Sequence, residues 1–452
     1  MRFQSINPAT GEVNKDFETL DLRSAISKVK LAKEAQRLWG ELDVSERSKF
    51  IARLSDVLKE KSKEYGRIIT LEMGKPIKQA VEEVEKCALA AKVYAENAAR
   101  WLEDEDVAIG RGAYVTHEPL GTILGIMPWN FPFWQALRFA IPAMSAGNTA
   151  VLRHSNVVPM SALAIEDAFK LAGFPENTFM AIITDHGAVG ALIKSRYVDG
   201  VSLTGSVDAG RHVARLAAKN LKKFVLELGG SDPFIVLDDA DIHFACRGAA
   251  DGRLINSGQS CICSKRFIVV EDVAEGFAAE FADIMKNAKV GDPMNESTEV
   301  GPLANSQQLD ILERQVGELV SNGAKVLCGG KRIPGKGYFF EPTVLMGADK
   351  KFVAKNELFG PVASIIKAKD ENDAIKIAND TRFGLGASVW TKNEEHAKDI
   401  ARKLQCGVVY INGIVKSNPL LPFGGIKDSG VGRELSRYGL LEFTNIKSVV
   451  LS

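Results

Sequence analysis

The chain has 452 residues, of which 46% are hydrophobic and 25% charged, with 57 basic and 57 acidic side chains. That length exceeds what one hydrophobic core supports, so two or three domains are expected, and balanced charge gives no pull toward nucleic acid. Residues 1–7 lack a signal-peptide core, no apolar run reaches the about 18 residues of a membrane span, and six scattered cysteines form no disulfide framework, so a cytoplasmic protein with reduced thiols and no membrane partner is expected.

Between 22 and about 102, apolar residues recur three and four apart, as at Ile51, Leu54 and Leu58, which predicts helices. The segment 112–118 alternates and predicts a strand outside the main rhythm, either an arm reaching a neighbour or an ordinary surface hairpin. Apolar runs at 122–127, 149–152, 179–183, 200–203, 224–228 and 234–237 then predict strands separated by helices, the pattern of parallel βαβ units. The second half repeats this texture, with strands predicted at 266–270, 325–328, 363–367, 387–391 and 407–411. Helices are predicted near 274–288, 305–321, 370–380 and 394–404. Two α/β domains are the fold class.

Four motifs could carry chemistry. In Gly258-Gln259-Ser260-Cys261-Ile262-Cys263 a turn of small residues delivers two thiols. A thiolate attacks an aldehyde carbon readily, and the adduct can collapse to a thioester. By itself the motif does not separate a nucleophile from an inert packed cysteine. In Leu226-Glu227-Leu228-Gly229-Gly230 a carboxylate ends an apolar run, where burial would raise its pKa toward that of a general base. A solvated strand-end glutamate is the plain alternative. Pro128-Trp129-Asn130-Phe131-Pro132 fixes an amide between prolines, either as an oxyanion donor or as a structural loop residue. Thr204-Gly205-Ser206-Val207-Asp208-Ala209-Gly210 runs a strand into a helix start suited to phosphate, although the spacing is not the usual dinucleotide fingerprint. The histidines and cysteines have no metal-ligand spacing, so no metal is expected.

Taken together and in this order, the four motifs resemble the aldehyde dehydrogenase superfamily. Glu357-Leu358-Phe359-Gly360-Pro361, Pro422-Phe423-Gly424-Gly425-Ile426-Lys427, Ser429-Gly430 and Gly432-Arg433-Glu434 extend the resemblance, which begins near Asn7-Pro8-Ala9-Thr10-Gly11. It implies a Rossmann-like NAD(P)-binding domain at 1–100 and 120–229 and an α/β catalytic domain at 230–432. It also implies bridging arms at 101–119 and 433–452 that build a homodimer or homotetramer. Cys261 matches the nucleophile, Glu227 the general base, and Asn130 the oxyanion donor beside the Cys261 amide. Trp129, Arg153, Ser155, Asn156, Gly205, Ser206, Gly210 and Leu228 match cofactor contacts, and Glu357 and Phe359 match contacts to the nicotinamide ribose and ring. The implied reaction is NAD(P)-dependent oxidation of an aldehyde to an acid through a thiohemiacetal and a thioester. A catalytically inactive relative is disfavoured by the intact Cys, Glu and Asn set. Transfer of the thioester to coenzyme A is disfavoured by Glu227.

The details narrow the substrate and cofactor. Arg153-His154-Ser155-Asn156 resembles the short succinate-semialdehyde dehydrogenases. Asn156 stands where many NAD-preferring members have a glutamate that would repel a 2′-phosphate, so NADP is expected to serve at least as well as NAD. Arg138 lies eight residues after Asn130, where succinate-semialdehyde dehydrogenases hold the substrate carboxylate. A second arginine of the better-known semialdehyde enzymes is replaced by Ile255. Succinate semialdehyde is the expected substrate, with glyceraldehyde or lactaldehyde as the alternative. Some of these enzymes share the Cys-x-Cys, which makes Cys263 a candidate redox partner of Cys261.

Overall fold

A computed structural model of the chain describes residues 2–109 and 111–451. The outer limits of the expected 1–100 and 433–452 segments and one residue of the 101–119 segment therefore lie outside the described residues.

The N-terminus is an antiparallel hairpin, Arg2–Ile6 against Val13–Glu18, which the periodicity did not predict. Most of its side chains face solvent, so no apolar alternation marks it. The predicted helical region resolves into Leu22–Glu41, Val44–Glu60, Ser62–Met73 and Ile77–Trp101. Asp21 and Asp43 accept backbone N–H bonds at the starts of the first two helices. Gly74, at φ 77°, ends the third in the left-handed conformation, and Pro76 follows before the fourth begins. Ile51, Leu54 and Leu58 are fully buried in one cluster with Val84, Cys87 and Ala91 of the fourth helix.

The first large sheet has the spatial order 430–431, 223–227, 200–204, 122–127, 149–154 and 179–181. Its five long members are parallel, and Gly430–Val431 adds an antiparallel edge. The chain proceeds outward from Thr122–Met127 in one direction and then returns to its other side through Gly200–Thr204. This Rossmann-like reversal opens a crevice at the carboxyl ends of those two strands. Trp129 and Asn130 follow one of them, and Gly205 and Ser206 follow the other.

The second sheet runs 325–328, 343–346, 362–368, 264–270, 232–236, 386–390 and 408–411. All pairings are parallel except Lys325–Cys328 against Thr343–Met346. The predicted strands of the second half fall in this sheet, which adds Thr343–Met346. Its central strands are almost wholly buried, as expected when helices cover both faces, while the edges Lys325–Cys328 and Val408–Ile411 are more open.

The alternating segment is the strand Ala113–Pro119, which pairs with Glu105–Val107 and with the C-terminal strand Thr444–Val450. Glu105–Val107 and Ala113–Pro119 thus form a hairpin, and Thr444–Val450 adds a third strand. Among the described residues, no helix is long and apolar enough to cross a membrane.

Candidate active site

The carboxyl end of Thr122–Met127 leads through Pro128 to Asn130, and Pro132 then starts the helix Pro132–Ser145, every residue of which is buried. His154, on the adjacent strand, holds this turn. Burial pulls its pKa down to about 4, so the ring is neutral. Its Nδ1 accepts from the Ser155 amide at 3.0 Å, which leaves Nε2–H to donate to the Pro132 carbonyl at 2.9 Å.

Asn130 Nδ2 donates to the Gln259 carbonyl at 3.0 Å, and Asn256 Nδ2 donates to the Asn130 carbonyl at 2.7 Å. The oxyanion candidate is thereby fixed against the loop that carries Cys261. That loop bends through Asn256, Ser257 and Gly258, all at positive φ. At Gly258 a Cβ would lie 2.1 Å from the Gly360 carbonyl oxygen, so no larger residue fits.

Two buried cations, which the sequence reading did not single out, hold the loop from beneath. Lys265 Nζ donates to the carbonyls of Ser260 at 2.9 Å and Cys261 at 2.7 Å, and it faces Glu357 Oε1 at 3.2 Å. Arg253 donates to the carbonyls of Gly258 at 2.5 Å and Ser264 at 2.9 Å. The signal for Lys265 was a charged residue inside the buried strand Ser264–Val270. Cys261 is half-buried, and burial pushes its thiol up to about 12, with Arg138 and then Lys265 opposing. Cys263 is buried, a free thiol donating to the Ile255 carbonyl at 3.5 Å.

Glu227 ends the strand Lys223–Glu227, is 1% exposed, and has neither oxygen hydrogen-bonded among the described residues. Burial, and next the neighbouring Glu434, raise its pKa well above the ordinary range, while Arg138 and Arg433 oppose the rise. Burial likewise raises Glu434, against the pull of Arg138. Two buried carboxyls thus share one close guanidinium, and Glu227, without a donor, is the more readily protonated of the two, its ionised form being the one that can act as a base.

The charge on Arg138 is answered by a protein carboxylate, because its Nε faces Glu434 Oε2 in a buried ion pair. Its Nη2 reaches Thr204 Oγ1 at 3.5 Å, and the guanidinium lies 4.7 Å from the centre of the Phe423 ring. Glu434 was read only as part of a terminal motif. The antiparallel edge Gly430–Val431, which lies inside the expected 230–432 segment yet joins the first sheet, brings it here.

The candidate cofactor residues line the crevice. Arg153 Nη2 donates to Asn156 Oδ1 at 2.8 Å and to the Thr184 carbonyl at 3.1 Å. Its Nε is buried without a partner among the described residues, and burial lowers its pKa to about 10. The Ser155 amide donates to the Met127 carbonyl at 2.8 Å. Ser206 caps the helix Val207–Lys219, accepting from the Ala209 amide at 3.3 Å. Gly210 presses on Leu228, where a Cβ would lie 2.5 Å from that side chain, so close packing explains this glycine. Glu357 lies over Gly229 and Gly230, and at Gly229 a Cβ would come 2.6 Å from its Oε2. The Trp129 and Phe359 rings meet edge to face at 5.7 Å. An unpaired buried guanidinium nitrogen, a helix start and a glycine cradle beneath a carboxylate fit a nicotinamide dinucleotide. Among the described residues, no three His, Cys, Asp or Glu side chains gather as a metal-ligand set.

A cavity of about 930 Å³ is lined among others by Lys86, Phe131, Trp134, Ile255 and Lys416, and Phe131 is the chain neighbour of Asn130.

The sequence model described as the aldehyde dehydrogenase family matches residues 1–449. A Synechocystis sp. protein named probable succinate-semialdehyde dehydrogenase (NADP+) is 43% identical over 451 residues, 99% of either chain. Succinate-semialdehyde dehydrogenase (NADP+) 1 of Mycobacterium tuberculosis is 41% identical over 454 residues, again 99% of either chain. The solved structure of succinic semialdehyde dehydrogenase from Streptococcus pyogenes with NADP+ superposes with a TM-score of 0.97 at 36% identity, covering 99% of both chains. Betaine aldehyde dehydrogenase of Staphylococcus aureus, solved with NAD+, reaches 0.96 at 29% identity, covering 99% of this chain and 94% of that one. Similarity of fold therefore extends across different aldehydes and both cofactors, and specificity has to be argued from side chains.

Proposed function

The chain belongs to the aldehyde dehydrogenase family, and from that premise we propose that it oxidises succinate semialdehyde to succinate, with NADP serving at least as well as NAD. The observation that carries the reading is the meeting of Cys261, Asn130 and Glu227 where the two large sheets adjoin, beside a cavity bearing the cation Lys86. The names of the relatives that match this chain end to end support the same substrate and cofactor.

The chemistry follows from the side chains. The Cys261 thiol passes its proton to water as its sulfur bonds to the aldehyde carbon, and the carbonyl oxygen becomes an oxyanion that accepts from Asn130 Nδ2. The bound nicotinamide supplies the acceptor for the hydride. What remains on Cys261 is an acyl group. Glu227 takes a proton from water, the water oxygen bonds to the acyl carbon, and the carbon–sulfur bond breaks to release the acid. Arg138 and Lys265 both favour the thiolate that forms and re-forms at Cys261.

Asn156 supports the use of NADP, since a neutral amide beside Arg153 leaves room and positive charge for a 2′-phosphate. The three-stranded sheet supports an oligomer, because Val107, Ile446 and Val450 lie exposed on it and would be buried by a second copy. The test is a panel of charged and uncharged aldehydes assayed with each cofactor. A kcat/KM for succinate semialdehyde no higher than that for butyraldehyde, or a tenfold higher KM for NADP than for NAD, contradicts the corresponding half of the proposal.

A further inference from the structure

We propose that Lys86 is the specificity-determining cation of the cavity, the residue whose ammonium takes the carboxylate at the far end of the substrate. The inference rests on the reading of the substrate as a short aldehyde with a terminal carboxylate, and it assigns to a lysine the role expected of Arg138.

Lys86 projects from the helix Ile77–Trp101 into the cavity. Its Nζ donates to Ser417 Oγ at 2.7 Å and sits 4.3 Å from the centre of the Trp134 ring. Ser417 is 8% exposed and Trp134 4%, so the ammonium lies at the buried side of the cavity rather than at its rim. Both partners are neutral, and neither cancels the charge. Among the described residues, no carboxylate comes within ion-pair distance of Lys86.

The groups facing Lys86 explain why it stays unpaired. Glu83, one helical turn earlier, is already engaged, pairing with Lys75 and accepting the amides of Phe133 at 2.9 Å and Trp134 at 3.0 Å. Arg138 approaches from the helix Pro132–Ser145 and Lys416 from the loop before Ser417, and both repel it. Cys87, its chain neighbour, is a buried thiol whose pKa is raised by burial and stays neutral. Burial, and then Arg138, lower Lys86 to about 8, which still leaves it mostly charged at neutral pH. The acids Glu82, Asp251, Asp283, Glu296 and Glu299 line the same cavity but stand exposed, where water and salt screen them. A desolvated ammonium with neutral partners is stabilised by an incoming carboxylate, and that carboxylate gains a charge-assisted bond. Arg138 offers less, because Glu434 already satisfies its charge.

The experiment compares wild type, Lys86→Met and Lys86→Arg on succinate semialdehyde and butyraldehyde, with the melting temperature and the KM for NADP as controls of folding. For Lys86→Met the ratio of kcat/KM between the two aldehydes should fall at least tenfold, through KM for the charged one. Lys86→Arg should recover most of that ratio. In wild type the KM for succinate semialdehyde should climb as pH rises through 8, and in Lys86→Met that climb should vanish. A wild-type preference that survives intact in Lys86→Met overturns the assignment to Lys86 alone. A wild type with no preference for the charged aldehyde overturns the substrate reading, and this inference with it.

Discussion

Replacing Arg138 by methionine tests the ion pair at the centre of the site. The side chain keeps its reach while the guanidinium beside Glu434 disappears. Removing one member of a buried pair costs about 3–5 kcal/mol. Glu434 can limit the loss by taking a proton. A carboxyl that ionises near 4.3 when unfolded costs about 1.4 kcal/mol to protonate for each pH unit above that value, roughly 3–4 kcal/mol at pH 7. An acid whose folded pKa is raised has its penalty above the unfolded value and loses it below. The stability deficit of Arg138→Met should therefore be small near pH 4.5 and approach its full size at pH 7. Denaturant titrations of both proteins at the two pH values, at fixed protein concentration, measure it. Catalysis should suffer without regard to substrate charge, because Arg138 favours ionisation of both Cys261 and Glu227. A deficit independent of pH would refute the pairing with Glu434. A loss on succinate semialdehyde tenfold greater than on butyraldehyde would return carboxylate recognition to Arg138.

Cys261→Ala should abolish oxidation while cofactor binding persists, and residual turnover above about a thousandth of wild type would reassign the nucleophile. Glu227→Gln should give a burst of reduced cofactor followed by slow turnover, because acylation outruns hydrolysis. A rate-limiting first turnover with no burst would remove Glu227 from the hydrolytic step. The raised pKa of Glu227 also implies that wild-type hydrolysis falls off on acidification at a higher pH than an ordinary carboxylate would set. Asn156→Glu should shift preference toward NAD by setting a carboxylate against the 2′-phosphate, and unchanged KM values for both cofactors would show that Asn156 does not face that group.

The central strands of the two large sheets were legible because both their faces are buried, which writes a continuous apolar run, whereas the four-residue Thr343–Met346 is buried but too short to stand out. Arg2–Ile6, Val13–Glu18 and Thr444–Val450 were not, since most of their side chains meet solvent. At the site, Cys261, Glu227 and Asn130 stood out through their glycine and proline neighbours. Their supports did not. Arg253 and Lys265 act by donating to carbonyls of the nucleophile loop, and no local pattern marks Arg253, while Lys265 is marked only by its place inside a buried strand. The demand of Arg138 for an anion was legible, but its partner Glu434 comes from the far end of the chain, and only the returning edge strand joins them.

That return also explains how the base is tuned from two directions. Gly430 pairs with Glu227 itself in the first sheet, while Ser429 Oγ donates to the Gly229 carbonyl at 2.7 Å and accepts from the Gly384 amide at 2.9 Å beside the second. One hydroxyl thus ties the crevice between the sheets to the segment that carries Arg433 and Glu434. At Gly424 a Cβ would lie 2.8 Å from Glu227 Oε1, so the same segment leaves the carboxyl only the room it occupies. Glu227 is held in a buried pocket, beside one acid and two arginines, by chain that folds back after the catalytic sheet is complete. A shift of that segment would change the proton affinity of the base without touching the thiol loop, and so would alter hydrolysis while sparing the attack by Cys261.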